Sequence, residues 1–342
     1  MENSFSYPIS KLYGNITLDL KKYPSAAIPE SIRNGLDNPI TITDQGGVIT
    51  DTAGINDYIR YDDQARRFYV ELSEAYCQFL WLLCDIAIRS IDYKIAVNEC
   101  IKNGKTIGDL INDNLEILSG NINVDDLLKS YKIDVPPNKF IEQIERQNEL
   151  LQNKDFTNQM ISECVMLDML TGKCPLNLTF FEEIEDQIKT KYGLIVNSAF
   201  VKGISFVLLH ENAHLMFRHL DKNTYEVQDE ENADFSAFWT MYSDINKEEK
   251  FSVGVGLICL MFSFLFLNPT MNSGPIPYPR EDKRIEYIYN FLSADNPKYS
   301  QITIHLFNLW ATINNIQDFP KINIEDPQGV KKIISFLSER YS

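Results

Sequence analysis

The chain has 342 residues, of which 44% are hydrophobic and 12% aromatic; this composition excludes disorder, collagen-like repeats and a small scaffold held by disulfides. Lys and Arg number 32 against 48 Asp and Glu, a net charge of -16. Phosphate backbones and anionic lipid surfaces would repel the chain as a whole, so nucleic acid is not an expected partner.

At about 150 residues per domain the length suggests two domains, read here as a mixed region over 1–195, mostly helical after about residue 60, and a second region over 196–342. Six cysteines, Cys77, Cys84, Cys100, Cys164, Cys174 and Cys259, form no Cys-x-x-Cys pair and read as reduced, buried thiols. The start, Met1 to Pro8, lacks the basic patch and apolar stretch of a secretory signal, which makes a cytoplasmic location the expectation.

Residues 1 to about 60 are rich in Pro, Gly, Asn and Thr and predict loops with one or two short strands, such as Pro39–Thr43, and little helix. From Asp62 the spacing of Phe68, Leu72, Ala75, Phe79, Leu82, Leu83 and Ile86 predicts a helix to about Tyr93. Mixed three and four spacing from Ile107 to Lys132, broken at Gly120-Asn121 and closed by Val135-Pro136-Pro137, predicts short helices and a linker. A helix is expected over about 138–153, another over 155–170, and a solvated acidic helix within 175–196 around Glu182, Glu183, Glu185 and Asp186. Phe251 to Leu267 is a 17-residue stretch without a charge, at the short end of what spans a bilayer. Ser252, Gly254, Gly256 and Ser263, the stop at Asn268-Pro269 and the lack of a second candidate span favour a core helix; a membrane anchor is the alternative. The terminal segment Val330–Tyr341 predicts an amphipathic helix.

The chemistry concentrates at His210-Glu211-Asn212-Ala213-His214, an H-E-x-x-H sequence behind the apolar run Phe206–Leu209. A spacing of four on a helix puts both imidazoles on one face, one turn apart, where both can reach a single zinc ion at about 2.0 to 2.1 Å. Glu211 then stands beside them as a base for water. A catalytic zinc site needs a third protein ligand. Glu230 supplies one on the next expected helix, with Glu231 as the fallback. Asp234, four residues on, is placed to accept the outer N–H of His210. An acidic solvated helix start is the competing reading of 226–234. His219 points to another face, as a structural or supporting group, and His305 reads as a packing or surface residue.

The H-E-x-x-H, the later E-x-x-A-D of Glu230–Asp234 and the segment Tyr278-Pro279-Arg280-Glu281-Asp282-Lys283-Arg284-Ile285 together resemble the gluzincin metallopeptidases. Many of these carry an H-P-x-x-x-x-R-I element opening a helix. Tyr278 stands here in place of its His, and its hydroxyl would serve as an oxyanion donor; packing of Tyr278 beside a Pro-rich turn and pairing of Arg284 with a core carboxylate is the structural alternative. The arrangement H-E-x-A-H-x-x-x-x-H from His210 to His219 resembles the Lit type of phage-exclusion peptidase, with the ImmA/IrrE peptidases as neighbours. The resemblance covers about residues 200 to 290. It implies an intracellular zinc endopeptidase, with elongation factor Tu as the substrate of Lit itself.

The fold expected is mainly α, described as α+β with a small sheet: a zincin-like metallopeptidase core preceded by a helical region that shapes substrate access. The site expected is zinc on His210, His214 and Glu230, with Glu211 and Tyr278 catalytic and Asp234, His219 and Arg284 supporting. A metal-stabilised or metal-free binding protein is the alternative from another class.

Overall fold

The computed structural model describes residues 12–20, 22–23, 49–50, 57–62, 67–92, 107–130, 136–151, 166, 170, 191–217, 226–243, 245–268, 279–324 and 326–341. The described elements are α1 (Tyr13–Leu20), β1 (Ile49–Thr50), β2 (Asp57–Asp62), β3 (Arg67–Ser73), α2 (Glu74–Asp92), α3 (Ile107–Leu118), α4 (Val124–Ser130), α5 (Pro137–Leu151), α6 (Lys191–Met216), α7 (Val227–Tyr242), α8 (Lys247–Leu267), α9 (Glu281–Leu292), α10 (Lys298–Ile313) and α11 (Gly329–Arg340). The expected segments Pro39–Thr43, 155–170 and 175–196 lie wholly or largely outside the described residues.

The mainly helical class holds, but the α+β zincin-like core with a small sheet is corrected. From Glu74 onward the described residues form helices and no strand. The faces of α6, where a sheet would have to pack, are taken by helices α1, α2, α7 and α8. The strands stand earlier, in a three-stranded array ordered β1-β3-β2, with β2 antiparallel to β3 from Asp57↔Leu72 to Asp62↔Arg67.

Two local expectations also change. Residues 67–73, predicted as the first turns of a helix, are strand β3. Phe68, Val70 and Leu72 satisfy a period of two as well as Phe68 and Leu72 satisfy a period of four, and the aromatic and β-branched content tips the balance to a strand. The helix starts at Glu74, and residues 76–91 are buried throughout. Conversely, α1 lies in a segment predicted to hold little helix. Ile16 and Leu20, with Leu12 just before the helix, form a buried apolar stripe, and packing against α6 supplies the stability that eight residues alone would lack.

A buried ionic node fixes α1. Lys202 Nζ on α6 donates to Asp19 Oδ1 at 2.6 Å and Glu249 Oε2 at 2.9 Å, while Ser205 Oγ donates to Asp19 Oδ2 at 3.0 Å. Two carboxylates thereby surround a buried ammonium, the arrangement that a charge away from water requires.

Helix α8 begins at Asn246, whose side chain accepts from Glu249 N at 2.9 Å, a regular N-cap. Its small residues are explained by close approach. A Cβ on Gly256 would collide with the carbonyl oxygen of Ala199 on α6, and one on Gly254 with the ring of Tyr299 on α10. Ser263 Oγ lies 2.9 Å from Tyr76 OH on α2. Both Lys247–Leu267 and Gly193–Glu211 are long and apolar enough to cross a membrane by length and composition, and 78% of the apolar window of each is buried inside the protein. The expected absence of a second candidate span is thus corrected. The second stretch holds Lys202, whose charge masks its apolar character in the sequence and is matched in the fold by Asp19 and Glu249.

One hydrophobic cluster runs from Leu12, just before α1, and Ile16 on α1 through α2, α6 and α8 to Ile334 and Leu337 on α11. The His-Glu motif therefore sits on a helix held along its length by the core.

Candidate metal centre

Helix α6 spans 26 residues and carries His210, Glu211 and His214 in its last two turns. The motif stays buried at the end of the helix: His210 is 7% exposed and His214 4%. The His210 ring stacks near Phe206, one turn earlier, at 6.3 Å, and the two imidazoles meet edge to face at 4.7 Å. Packing thereby fixes both rings before any ligand arrives.

Helix α7 runs antiparallel beside it. Asp229 Oδ2 accepts the Glu226 N–H at 3.1 Å at its start, and acidic residues in the first turn complement the helix dipole. Its buried positions, Asp229, Glu230, Ala233, Asp234, Ala237, Phe238 and Met241, recur at helical spacing and face the core. Of its three buried carboxylates, Asp229 closes the start of the helix, while Glu230 and Asp234 meet the histidines. Glu230 Oε2 lies 3.2 Å from His210 Nε2, Glu230 Oε1 lies 3.4 Å from His214 Nε2, and the two Nε2 atoms lie 3.0 Å apart.

These separations test the fit to a metal. Donor atoms bound tetrahedrally at about 2.0 to 2.1 Å from an ion lie about 3.3 Å from one another. The His210, His214 and Glu230 donors fall on that spacing, and they form a buried group that could hold a metal ion. Glu231, the fallback ligand, is exposed on the other side of α7 and is not part of the group.

Asp234 links this trio to a third helix. His210 Nδ1 lies 2.9 Å from Asp234 Oδ1, at ion-pair distance although without the alignment of a regular hydrogen bond. The same carboxylate receives both arms of Arg284 from α9, Nε to Oδ2 at 2.8 Å and Nη2 to Oδ1 at 2.7 Å. A guanidinium fork matches a carboxylate edge in this way. Phe264 of α8 lies under the guanidinium at 4.7 Å. Arg284 therefore does pair with a core carboxylate, and that carboxylate is the one beside His210.

The electrostatics follow from burial and these partners. Burial disfavours a charged imidazole at His210, but Asp234 and Glu230, with the charge of Glu211, lift its pKa to about 10 in the metal-free protein. Burial opposes the charge on Asp234, yet Arg284 and His210 hold its carboxyl well below the usual range. Burial raises Glu211; the attraction of His210 and Arg284 opposes the repulsion of Glu230 and Asp234, and the pKa settles at about 7. Glu211 Oε1 lies 3.7 Å from His210 Nε2, and its side chain retains 19% exposure. It is the part of the cluster open to solvent, with a carboxylate poised to exchange protons near neutrality.

The structure thus brings together His210, Glu211, His214, Glu230, Asp234 and Arg284. Tyr278 and His219 lie outside the described residues. His305 is buried on α10, far along the chain from the group. Phe206 and Phe264, which brace His210 and Arg284, went unnoticed in the sequence; for Phe206 the i,i+4 spacing to His210 was the available signal.

A family model described as Peptidase U49 matches residues 171–303. The matched stretch is less than half of the chain and includes every member of the cluster. It supports a peptidase, and so a hydrolase, as the class of this protein. No curated protein and no solved structure matches the chain.

Proposed function

We propose that the protein is a zinc-dependent endopeptidase that hydrolyses a peptide bond in a protein substrate. The observation that carries this reading is the convergence of His210 Nε2, His214 Nε2 and the Glu230 carboxylate at 3.0 to 3.4 Å, with Glu211 beside them. Two imidazoles and one carboxylate form a donor set suited to zinc, unlike the all-oxygen sets of calcium and magnesium.

When bound, zinc supplies a Lewis acid that polarises the scissile carbonyl and acidifies water. The chain's own residues do the rest. His210, His214 and Glu230 hold the ion, and Asp234 orients His210 through Nδ1. Arg284 keeps Asp234 ionised and in place. Glu211 takes a proton from the attacking water and delivers it to the departing amine, so the carboxylate ends the cycle as it began. The oxyanion donor assigned to Tyr278 rests on its position in the sequence motif.

A finer proposal, a Lit-like role in phage defence with elongation factor Tu as substrate, rests on the short motifs between residues 200 and 290. A cytoplasmic location, part of that finer proposal, is supported by the burial of 78% of each apolar helix's window inside the protein. The test of the peptidase reading is Glu211→Gln. The variant should bind zinc like the wild type and lose hydrolysis of protein substrates. A variant that still cleaves would overturn the assignment of Glu211, and zinc uptake by a wild type that cleaves no protein would favour a metal-stabilised binding protein.

A further inference from the structure

Helix α7 presents a second face beside the one that carries Glu230 and Asp234. Glu231 and Phe235 each follow one of these carboxylates by one residue, about 100° round the helix, and Trp239 adds the next step of four. All three side chains are exposed, Phe235 to 49% and Trp239 to 56%. The two aromatic rings lie together, stacked at 6.2 Å between centroids with their planes 8° apart. Two large rings held side by side in solvent are unlike the single exposed apolar residues that any surface carries.

The stripe is also acidic and without a cation. Helix α7 contains Asp229, Glu230, Glu231 and Asp234 and no Lys, Arg or His, and Glu231 has no ion-pair partner among the described residues. Elsewhere the protein sets its own cations over rings near the surface: Lys250 Nζ lies 4.9 Å from the centre of the Tyr242 ring, and the Arg340 guanidinium 5.8 Å from those of Phe336 and Tyr341. Among the described residues, no cation stands over Phe235 or Trp239.

We propose that Glu231, Phe235 and Trp239 form a docking surface for a segment of a partner protein in which a Lys or Arg side chain stands beside apolar ones. The ring faces attract the cation, Trp most strongly, Glu231 supplies the opposite charge, and the apolar neighbours take the rings out of water. A second copy of this chain fits less well, since each copy carries a net charge of -16 and the two repel. The surface lies apart from the metal donors, so the inference does not depend on the zinc reading.

The test is titration calorimetry on the full-length chain at about 0.15 M salt, where long-range attraction is screened. The probes are three capped hexapeptides, alternating Leu with Arg, Leu with Glu, and Ser with Arg. The Leu/Arg peptide should bind the wild type about tenfold or more tighter than either of the others. Of the three Trp, Trp81 and Trp310 are buried, so the same peptide should shift the emission of the exposed Trp239. Phe235→Ser/Trp239→Ser should lose about tenfold or more of the Leu/Arg affinity and Glu231→Gln about threefold, with the unfolding midpoint of both variants near that of the wild type. A wild type that binds the three peptides alike, or a Leu/Arg affinity that survives in the folded double variant, overturns the proposal. So does a wild-type dimer that the double variant turns into a monomer, because it puts a second copy on the stripe.

Discussion

Helix α6 meets two neighbours by different means. Its first half meets α8 by fit: Gly256 sits against the backbone of Ala199 with no room for a methyl group. Its second half meets α7 by charge: His210 and His214 face Glu230 and Asp234, and Arg284 from α9 completes the row. The fit side has no chemistry to offer and tolerates no change of volume. The charge side keeps polar groups buried at a cost that only mutual pairing, or a metal, offsets. One helix therefore anchors a site at its end by being locked into the core at its start.

The contrast can be broken most sharply at the chemical end. Glu211→Gln should lower peptide hydrolysis by about 10²- to 10⁴-fold, the usual worth of a general base, with zinc content unchanged by mass spectrometry. Next in size is Arg284→Ala, which strands the Asp234 carboxylate beside His210. Loss of one partner of a buried pair costs about 3 to 5 kcal/mol, to be read by denaturant unfolding. Zinc affinity should also fall, by about 10- to 100-fold, because the support of His210 is weakened.

Acid probes the core on the fit side. His305 is buried on α10, and burial lowers its pKa from 6.5 to about 4. Between those values the unfolded chain binds a proton that the folded one refuses. The stability from this residue is therefore complete above pH 6.5 and falls as pH drops toward 4, by about 3 kcal/mol over the window. His305→Gln should flatten that part of the stability profile measured by urea unfolding at pH 4 to 7. The smallest effect expected is that of Gly256→Ala. A methyl group against a backbone carbonyl should cost about 1 to 3 kcal/mol, visible as a lower unfolding midpoint, and zinc binding by the folded fraction should be retained.

The two sides of α6 also differed in how far they could be read from the sequence. His210, His214 and Glu230 were legible because metal ligation restricts residue type and spacing together, and helical periodicity then aims the side chains. The pairing of Arg284 with Asp234 was not, since at a separation of 50 positions nothing in the sequence states which carboxylate a buried arginine meets. On the fit side, 251–267 announced a buried helix, but Gly254 and Gly256 read only as arguments against a membrane span. Their partners, Tyr299 and Ala199, belong to tertiary structure. Strand β3 was misread because a seven-residue apolar pattern satisfied two periods at once, and α1 was missed because its stability comes from α6 and the Lys202 node.

The central claim is that the chain's own His-His-Glu trio holds a metal. The most direct test is metal content by mass spectrometry on the purified wild type and on the His210→Ala/His214→Ala double variant, each after incubation with zinc. The account predicts one zinc per wild-type chain and none in a folded double variant. A folded wild type that takes up no zinc, or a double variant that retains it, would contradict the account.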